Sequence, residues 1–72
     1  MKNYIMGLYF DLKENQIIQI NLNSGETITI DKDDEITGSK NLIKATIKGI
    51  YQNVTMVINT DFVEYICVKE DY

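Results

Sequence analysis

Three sets of side chains carry whatever chemistry this sequence could perform. The first is Asp31-Lys32-Asp33-Asp34-Glu35, four carboxylates within five residues. An EF-hand calcium loop starting at Asp31 would need glycine at its sixth position and an acid at its twelfth. Those positions hold Ile36 and Leu42, so the run reads as a solvated acidic loop. Its functional alternative is an acidic patch, with Asp33, Asp34 and Glu35 as contacts, that meets a basic partner surface. An inhibitor imitating nucleic-acid charge would present such a patch. The second set is Lys40, Lys44 and Lys48, at four-residue spacing. On a strand all three share one face, where they could hold the phosphates of a nucleotide or RNA. The bland reading is a solvated face that discourages edge aggregation. The third is Cys67, between Ile66 and Val68. The chain has no histidine, so a thiol nucleophile lacks its usual base, and Cys67 reads as a small buried hydrophobe. Zinc sites and histidine-based acid–base work are excluded on the same ground. No glycine-rich phosphate loop is present, because the four glycines are scattered at 7, 25, 38 and 49. Asn53-Val54-Thr55 matches a glycosylation pattern by chance in a chain with no visible secretory signal. The expectation is no enzyme, no cofactor and no metal.

The aromatic residues form a further group. Five tyrosines and two phenylalanines are many for 72 residues. Tyr51 and Phe62 are expected in the core. Tyr4, Tyr9, Tyr65 and Tyr72 are candidates for a self-association surface, since a ring with a polar tip suits contacts. Their alternative is core packing with the hydroxyl at the rim.

These residues need a scaffold, and composition bounds it. The length allows one domain, 1–72, with 69–72 as a frayed tail. Such a chain buries only about 60% of the surface it exposes unfolded, so its core is thin. Small folds add disulfides, a metal or a partner chain. One cysteine makes no internal disulfide. By elimination, self-association gains weight. The net charge is −4, and every basic residue is a lysine. Acidic balance and the absence of arginine disfavour RNA as a partner, without excluding a local basic patch. No segment is long and apolar enough for a bilayer, so no membrane role is expected, and the localisation is read as cytoplasmic. Richness in Ile, Asn, Lys and Tyr points to coding from an AT-rich genome, that of a low-GC bacterium or its phage.

Strand periodicity dominates. Tyr4–Leu12 alternates, with Tyr4, Met6, Leu8, Phe10 and Leu12 on one face and a half-apolar opposite face, as in a strand covered on both sides. Gln16–Leu22 and Thr27–Ile30 flank Asn23-Ser24-Gly25-Glu26 and make a β-hairpin. Asp31 to Asn41 reads as an exposed loop. Leu42–Tyr51 reads as a strand with Ile43, Ala45, Ile47, Gly49 and Tyr51 inward. A helix fits some of its apolar spacing, but its β-branched residues and Gly49 weigh against that. Gln52-Asn53 turns into Val54–Asn59, and Thr60-Asp61 breaks before Phe62–Val68. Five to six short strands predict an all-β fold, a small barrel or a rolled meander; closure into a barrel would remove its edges, with bends at Gly7 and Gly49.

The stretch Gly49-Ile50-Tyr51 through Asn59-Thr60-Asp61-Phe62-Val63-Glu64-Tyr65-Ile66 resembles the closing strands of SH3-like and Sm-like small barrels. Leu22-Asn23-Ser24-Gly25-Glu26-Thr27-Ile28 resembles a hairpin of the same folds. Together they cover about half the chain. The resemblance implies a five- to six-stranded SH3-like or Sm-like barrel and ring-like association. The Asp and the Gly-Asp or Lys-His pair that Sm-like proteins use for RNA have no counterpart here, so RNA contacts are not carried over.

The expected function is a non-enzymatic binding module, phage- or mobile-element-encoded, that sequesters a host protein or a small anionic ligand, as an inhibitor of a bacterial defence system would. One alternative is an Sm-like RNA-binding ring using Lys40, Lys44 and Lys48. Another is a structural subunit that only forms a homo-oligomer.

Overall fold

A computed structural model describes residues 1–70. The elements in order are α1 (Lys2–Phe10), β1 (Gln16–Leu22), β2 (Thr27–Asp31), β3 (Glu35–Ser39), β4 (Leu42–Lys48), β5 (Asn53–Asn59), a 3-10 turn (Thr60–Phe62) and β6 (Val63–Glu70). The strands make two antiparallel sheets of three, ordered β2-β1-β6 and β3-β4-β5. The fold is therefore mostly β, built as two small sheets and a helix.

The first segment is a helix, where alternation predicts a strand. A segment apolar at most positions satisfies both periods, and burial decides between them. Ile5 is buried, with Met6, Leu8 and Tyr9 packed against the core beside it, a spacing that puts these four on one side of a helix, and Leu12, just past the helix end, is buried as well. Gly7 accordingly lies mid-helix and bends no strand. The helix rests on β3. A Cβ on Gly38 would lie 2.8 Å from the Lys2 side chain, so the bare glycine lets the Lys2 stem lie against the sheet.

The hairpin at Ser24-Gly25 forms as expected. Gly25 has φ +95°, which glycine adopts without cost, and Leu22 and Glu26 close the turn through a 2.9 Å backbone hydrogen bond. β1 is central, pairing Ile18 with Ile30 and Val68, and Ile20 with Ile28 and Ile66. Strands β4 and β5 also form where alternation places them, with Ile43 opposite Ile58 and Ala45 opposite Met56. The core is mostly isoleucine: Ile5, Ile18, Ile20, Ile30 and Ile43 are fully buried.

Five further expectations are corrected. The run after Asp31 is a tight turn followed by strand β3, because Ile36 pairs with Ala45 and turns into the core. β4 ends at Lys48, so Tyr51 is not inward but 97% exposed. Gly49 belongs to the turn after β4. A Cβ there would sit 2.5 Å from the Gln52 carbonyl oxygen, so the chain folds back over a bare Cα instead of continuing the strand. Phe62 closes the 3-10 turn and is exposed rather than core, and β6 runs on through Lys69 and Glu70, which are no frayed tail. Asp71 and Tyr72 lie outside the described residues.

Candidate functional site

The acidic run separates into an inner and an outer part. Asp31 accepts through Oδ1 from the backbone N–H groups of Asp33 (2.8 Å) and Asp34 (3.1 Å), the local turn that an aspartate at this position favours. That geometry swings Asp34 inward, where it is 4% exposed. Its Oδ2 accepts from the N–H of Asp31 and its Oδ1 from the N–H of Lys48, each at 3.0 Å. Its carbonyl accepts from the Tyr9 hydroxyl. One residue thus fastens the β2–β3 corner to the end of β4 and to α1. The carboxylate reserved at the sequence level for a partner is occupied by its own backbone, while Asp33 and Glu35 remain exposed. An open polar cleft of about 620 Å³ lies beside them, lined by Glu14, Gln16, Asp31, Lys32 and Asp33. Among the described residues no group of three acidic or sulfur ligands is placed to hold a metal ion. Burial pushes the Tyr9 phenol above its usual range, and the negative charges of Asp34, Glu35, Asp31 and Asp33 add to it.

The lysines divide as well. Lys44 and Lys48 are exposed on β4, opposite Val57 and Asn53 of β5, and share the outward face with Leu42 and Thr46. Thr46 meets Thr55 across the strands at 3.3 Å. Lys40 is not on the strand. It occupies the two-residue turn between β3 and β4 with φ +56°, a conformation costing a non-glycine residue about 1 kcal/mol or more. The turn is held by a polar clip. The Asn41 carbonyl accepts from the N–H and the hydroxyl of Thr60, both at 2.8 Å. The Asn41 amide donates to Asn59 Oδ1 at 3.3 Å and to Asp61 Oδ2 at 3.0 Å. Asn59 also accepts from the Asp61 N–H at 2.9 Å. This cluster was not singled out from the sequence. Its only local signal is the Asn-Thr-Asp run, since the Asn41 partner lies about twenty residues away.

The aromatic candidates sit on different elements. Tyr4 is exposed on α1, and Tyr65 is exposed on β6. Tyr9 is half-buried, with its hydroxyl used by Asp34 and its ring edge-on to Phe10 at 5.9 Å. Cys67 is half-buried and its thiol lies 3.4 Å from Gln19 Oε1.

A groove of about 510 Å³ was not anticipated. It runs between the β1–β2 hairpin and β5, lined by Leu22, Ile28, Met56, Val57, Ile58 and Phe62 among others. Among the described residues β2, β3, β5 and β6 each have one side without a strand partner. Val54 and Val57 are exposed on β5, Tyr65 and Val68 on β6, and Phe62 on the 3-10 turn between them. No helix of the described residues is long and apolar enough to cross a membrane. No protein-family model, no curated protein and no solved structure matches this chain.

Proposed function

We propose that this protein is a non-catalytic binding module of small-barrel architecture, SH3-like or Sm-like, that works as an assembly of its own copies. The observation that carries the reading is β5. Asn53–Asn59 contains no charged residue and no proline, yet its outer side has no strand partner and borders an apolar groove. Isolated proteins blunt such edges with lysine, proline or a bulge. An edge left this way is complementary to another strand, and β6, of similar length and exposing Tyr65 and Val68, is the free edge a second copy offers. The barrel reading draws support from the corner at Asp31–Asp34, which turns β2 directly into β3 and links the two sheets. The strands then read as one bent series, β6-β1-β2-β3-β4-β5, with β5 and β6 at its ends. Within the assembly Lys44 and Lys48 form the face for a small anionic ligand.

Native mass spectrometry of protein purified from its own host, with light scattering, tests this. Several copies per particle are expected, with a retained anionic ligand. Val57→Lys should reduce the particle to smaller species while keeping the fold, because Val57 is 63% exposed. A wild-type monomer at high concentration would sink the assembly reading. RNA retained at low salt and lost steeply as salt rises would move the ligand from a small anion to a nucleic acid.

A further inference from the structure

The hairpin tip between β4 and β5 carries two side chains that nothing within the chain uses. Ile50 and Tyr51 are 93% and 97% exposed, the most exposed large apolar residues among those described. The turn itself asks only for a bare Cα at Gly49, beneath the Gln52 carbonyl, and polar residues at 50 and 51 would serve it equally well. Apolar residues scattered singly on a surface are ordinary, whereas two adjacent ones at a hairpin tip, one of them a tyrosine, make a contact anchor. The same molecule holds an apolar recess. The groove of about 510 Å³ between the β1–β2 hairpin and the far end of β5 is lined by Leu22, Ile28, Met56, Ile58 and Phe62. Pockets that enclose a small ligand measure about 300–1,000 Å³, so the groove has room for two side chains.

Tip and groove complement each other in chemistry. The groove offers the Phe62 ring and the adaptable Met56 thioether as packing partners for a tyrosine ring. A buried tyrosine needs a partner for its hydroxyl, and the Glu26 carboxylate in the groove lining is an acceptor. The charges are opposite in sign as well. Glu26 is the one charged residue of the lining, and Lys48 is the one charged residue of the tip, 48–53. A chain cannot fill its own groove. β5 rises about 3.4 Å per residue, so Met56 and Ile58 stand about 10–17 Å beyond Asn53, on the side away from the tip. We infer that the Ile50-Tyr51 tip of one copy seats in the groove of another. The inference rests on the reading that copies of this chain associate, and it supplies an anchor separate from the pairing of β5 with β6. Tip and groove are unlike patches, so the contact repeats from copy to copy until the series closes.

The test is photo-crosslinking from the tip. Chains with p-benzoylphenylalanine in place of Tyr51 keep an aromatic ring there. They are mixed with heavy-isotope chains that retain Tyr51, illuminated and digested. The crosslinked peptides should join position 51 of a light chain to residues 22–28 or 56–62 of a heavy one. In parallel, Tyr51→Ser should raise the concentration at which particles dissociate at least tenfold, the loss of one anchor residue. Circular dichroism should stay unchanged, because the ring is 97% exposed in its own chain. Tyr4→Ser, the same change on α1, should leave the dissociation concentration where it is, and an equal loss from it would overturn the inference. Light scattering on the wild type keeps the two readings apart. A monomer at high concentration overturns this inference and the assembly reading together. Particles in which position 51 joins other surfaces or none, or which Tyr51→Ser leaves intact, overturn the tip contact alone.

Discussion

Replacing Asp34 with alanine removes two hydrogen bonds from a carboxylate that is 4% exposed. It leaves the N–H groups of Asp31 and Lys48 without the acceptor that satisfied them. Hydrogen bonds to a charged group contribute about 1.5–3 kcal/mol each, and a buried donor left unpaired costs a similar amount. The two together place the loss at roughly 3–5 kcal/mol. A core of this size rarely supplies more than about 3–5 kcal/mol. Asp34→Ala should therefore be largely unfolded in dilute buffer at 25 °C. Asp34→Asn keeps one acceptor oxygen but turns an NH₂ toward the other backbone donor, so it should lose about 2–3 kcal/mol and remain partly folded. Urea titration followed by far-UV circular dichroism reads both. With a slope of about 1 kcal/mol per molar, Asp34→Asn should lower the midpoint by about 2–3 M. Asp33→Ala, one residue away and exposed, should stay within about 0.5 kcal/mol of wild type. An Asp34→Ala protein that loses less than about 1 kcal/mol would refute the assignment of Asp34 as the fastening of the corner.

Tyr9→Phe should cost about 0.5–1.5 kcal/mol, the loss of one neutral donor to the Asp34 carbonyl. The folded Tyr9 phenol titrates above its unfolded value of 10.0, so the native state holds a proton that the unfolded chain releases. Its contribution is complete below about pH 10 and is lost as pH rises through the raised folded value, and stability measured from pH 9 to 12 should show that decline in wild type and less of it in Tyr9→Phe. Gly7→Ala and Gly25→Ala should move stability in opposite directions at low protein concentration. The first should gain about 0.5–1 kcal/mol, since the new methyl meets nothing, and the second should lose about 1 kcal/mol or more, since alanine resists φ +95°. Thr60→Val, which keeps shape but removes the hydroxyl donated to Asn41, should cost about 1 kcal/mol in the same titration.

The parts of this fold that were legible in the sequence are those in which one local rule acts alone. Asn23-Ser24-Gly25-Glu26 is turn chemistry between two alternating runs, and the hairpin follows. Leu42–Lys48 and Val54–Asn59 alternate cleanly and become β4 and β5. Where two rules compete, the sequence misleads. Lys2–Phe10 is apolar in both periods, and only the packing of Ile5, with Met6, Leu8 and Tyr9, into the core selects the helix. Glu35–Ser39 has a single deeply buried residue, Ile36, beside a run of charge, so its strand is specified by pairing with β4 and not by its own pattern. Extending an alternation through Gly49 puts Tyr51 inward, where the chain turns, and Phe62, expected to open a strand in the core, instead closes the 3-10 turn before β6. The lysines on β4 could be placed from alternation, whereas Lys40 falls in the turn. Asp34 illustrates the deeper difficulty: an exposed acid and a buried one look alike in a charged run unless the Asp-x-x-Asp turn is recognised.

Two polar clips do in this small chain what a larger core would do elsewhere. Asp34 ties the β2–β3 corner to β4 and α1, and Asn41 ties the β3–β4 turn to the 3-10 turn between β5 and β6. Both act at the ends of β3, whose one buried side chain is Ile36, and both hold segments distant in sequence. The consequence is an asymmetry among the four edge strands of the two sheets. The corner joining β2 and β3 is fastened by side chains to backbone, while β5 and β6 have no strand on their outer sides among the described residues. Loss of a clip would let β3 and β4 shift relative to β1 and β2 and change the angle between β5 and β6. A partner strand that needs both in fixed relation would then lose affinity even where each edge stayed intact. Thr60→Val, a mild change in stability, should for this reason weaken assembly beyond its effect on folding. Assembly measured at a urea concentration where the variant is still fully folded separates the two. Unaltered assembly there would mean that the edges are set by the sheets alone and owe nothing to the clip.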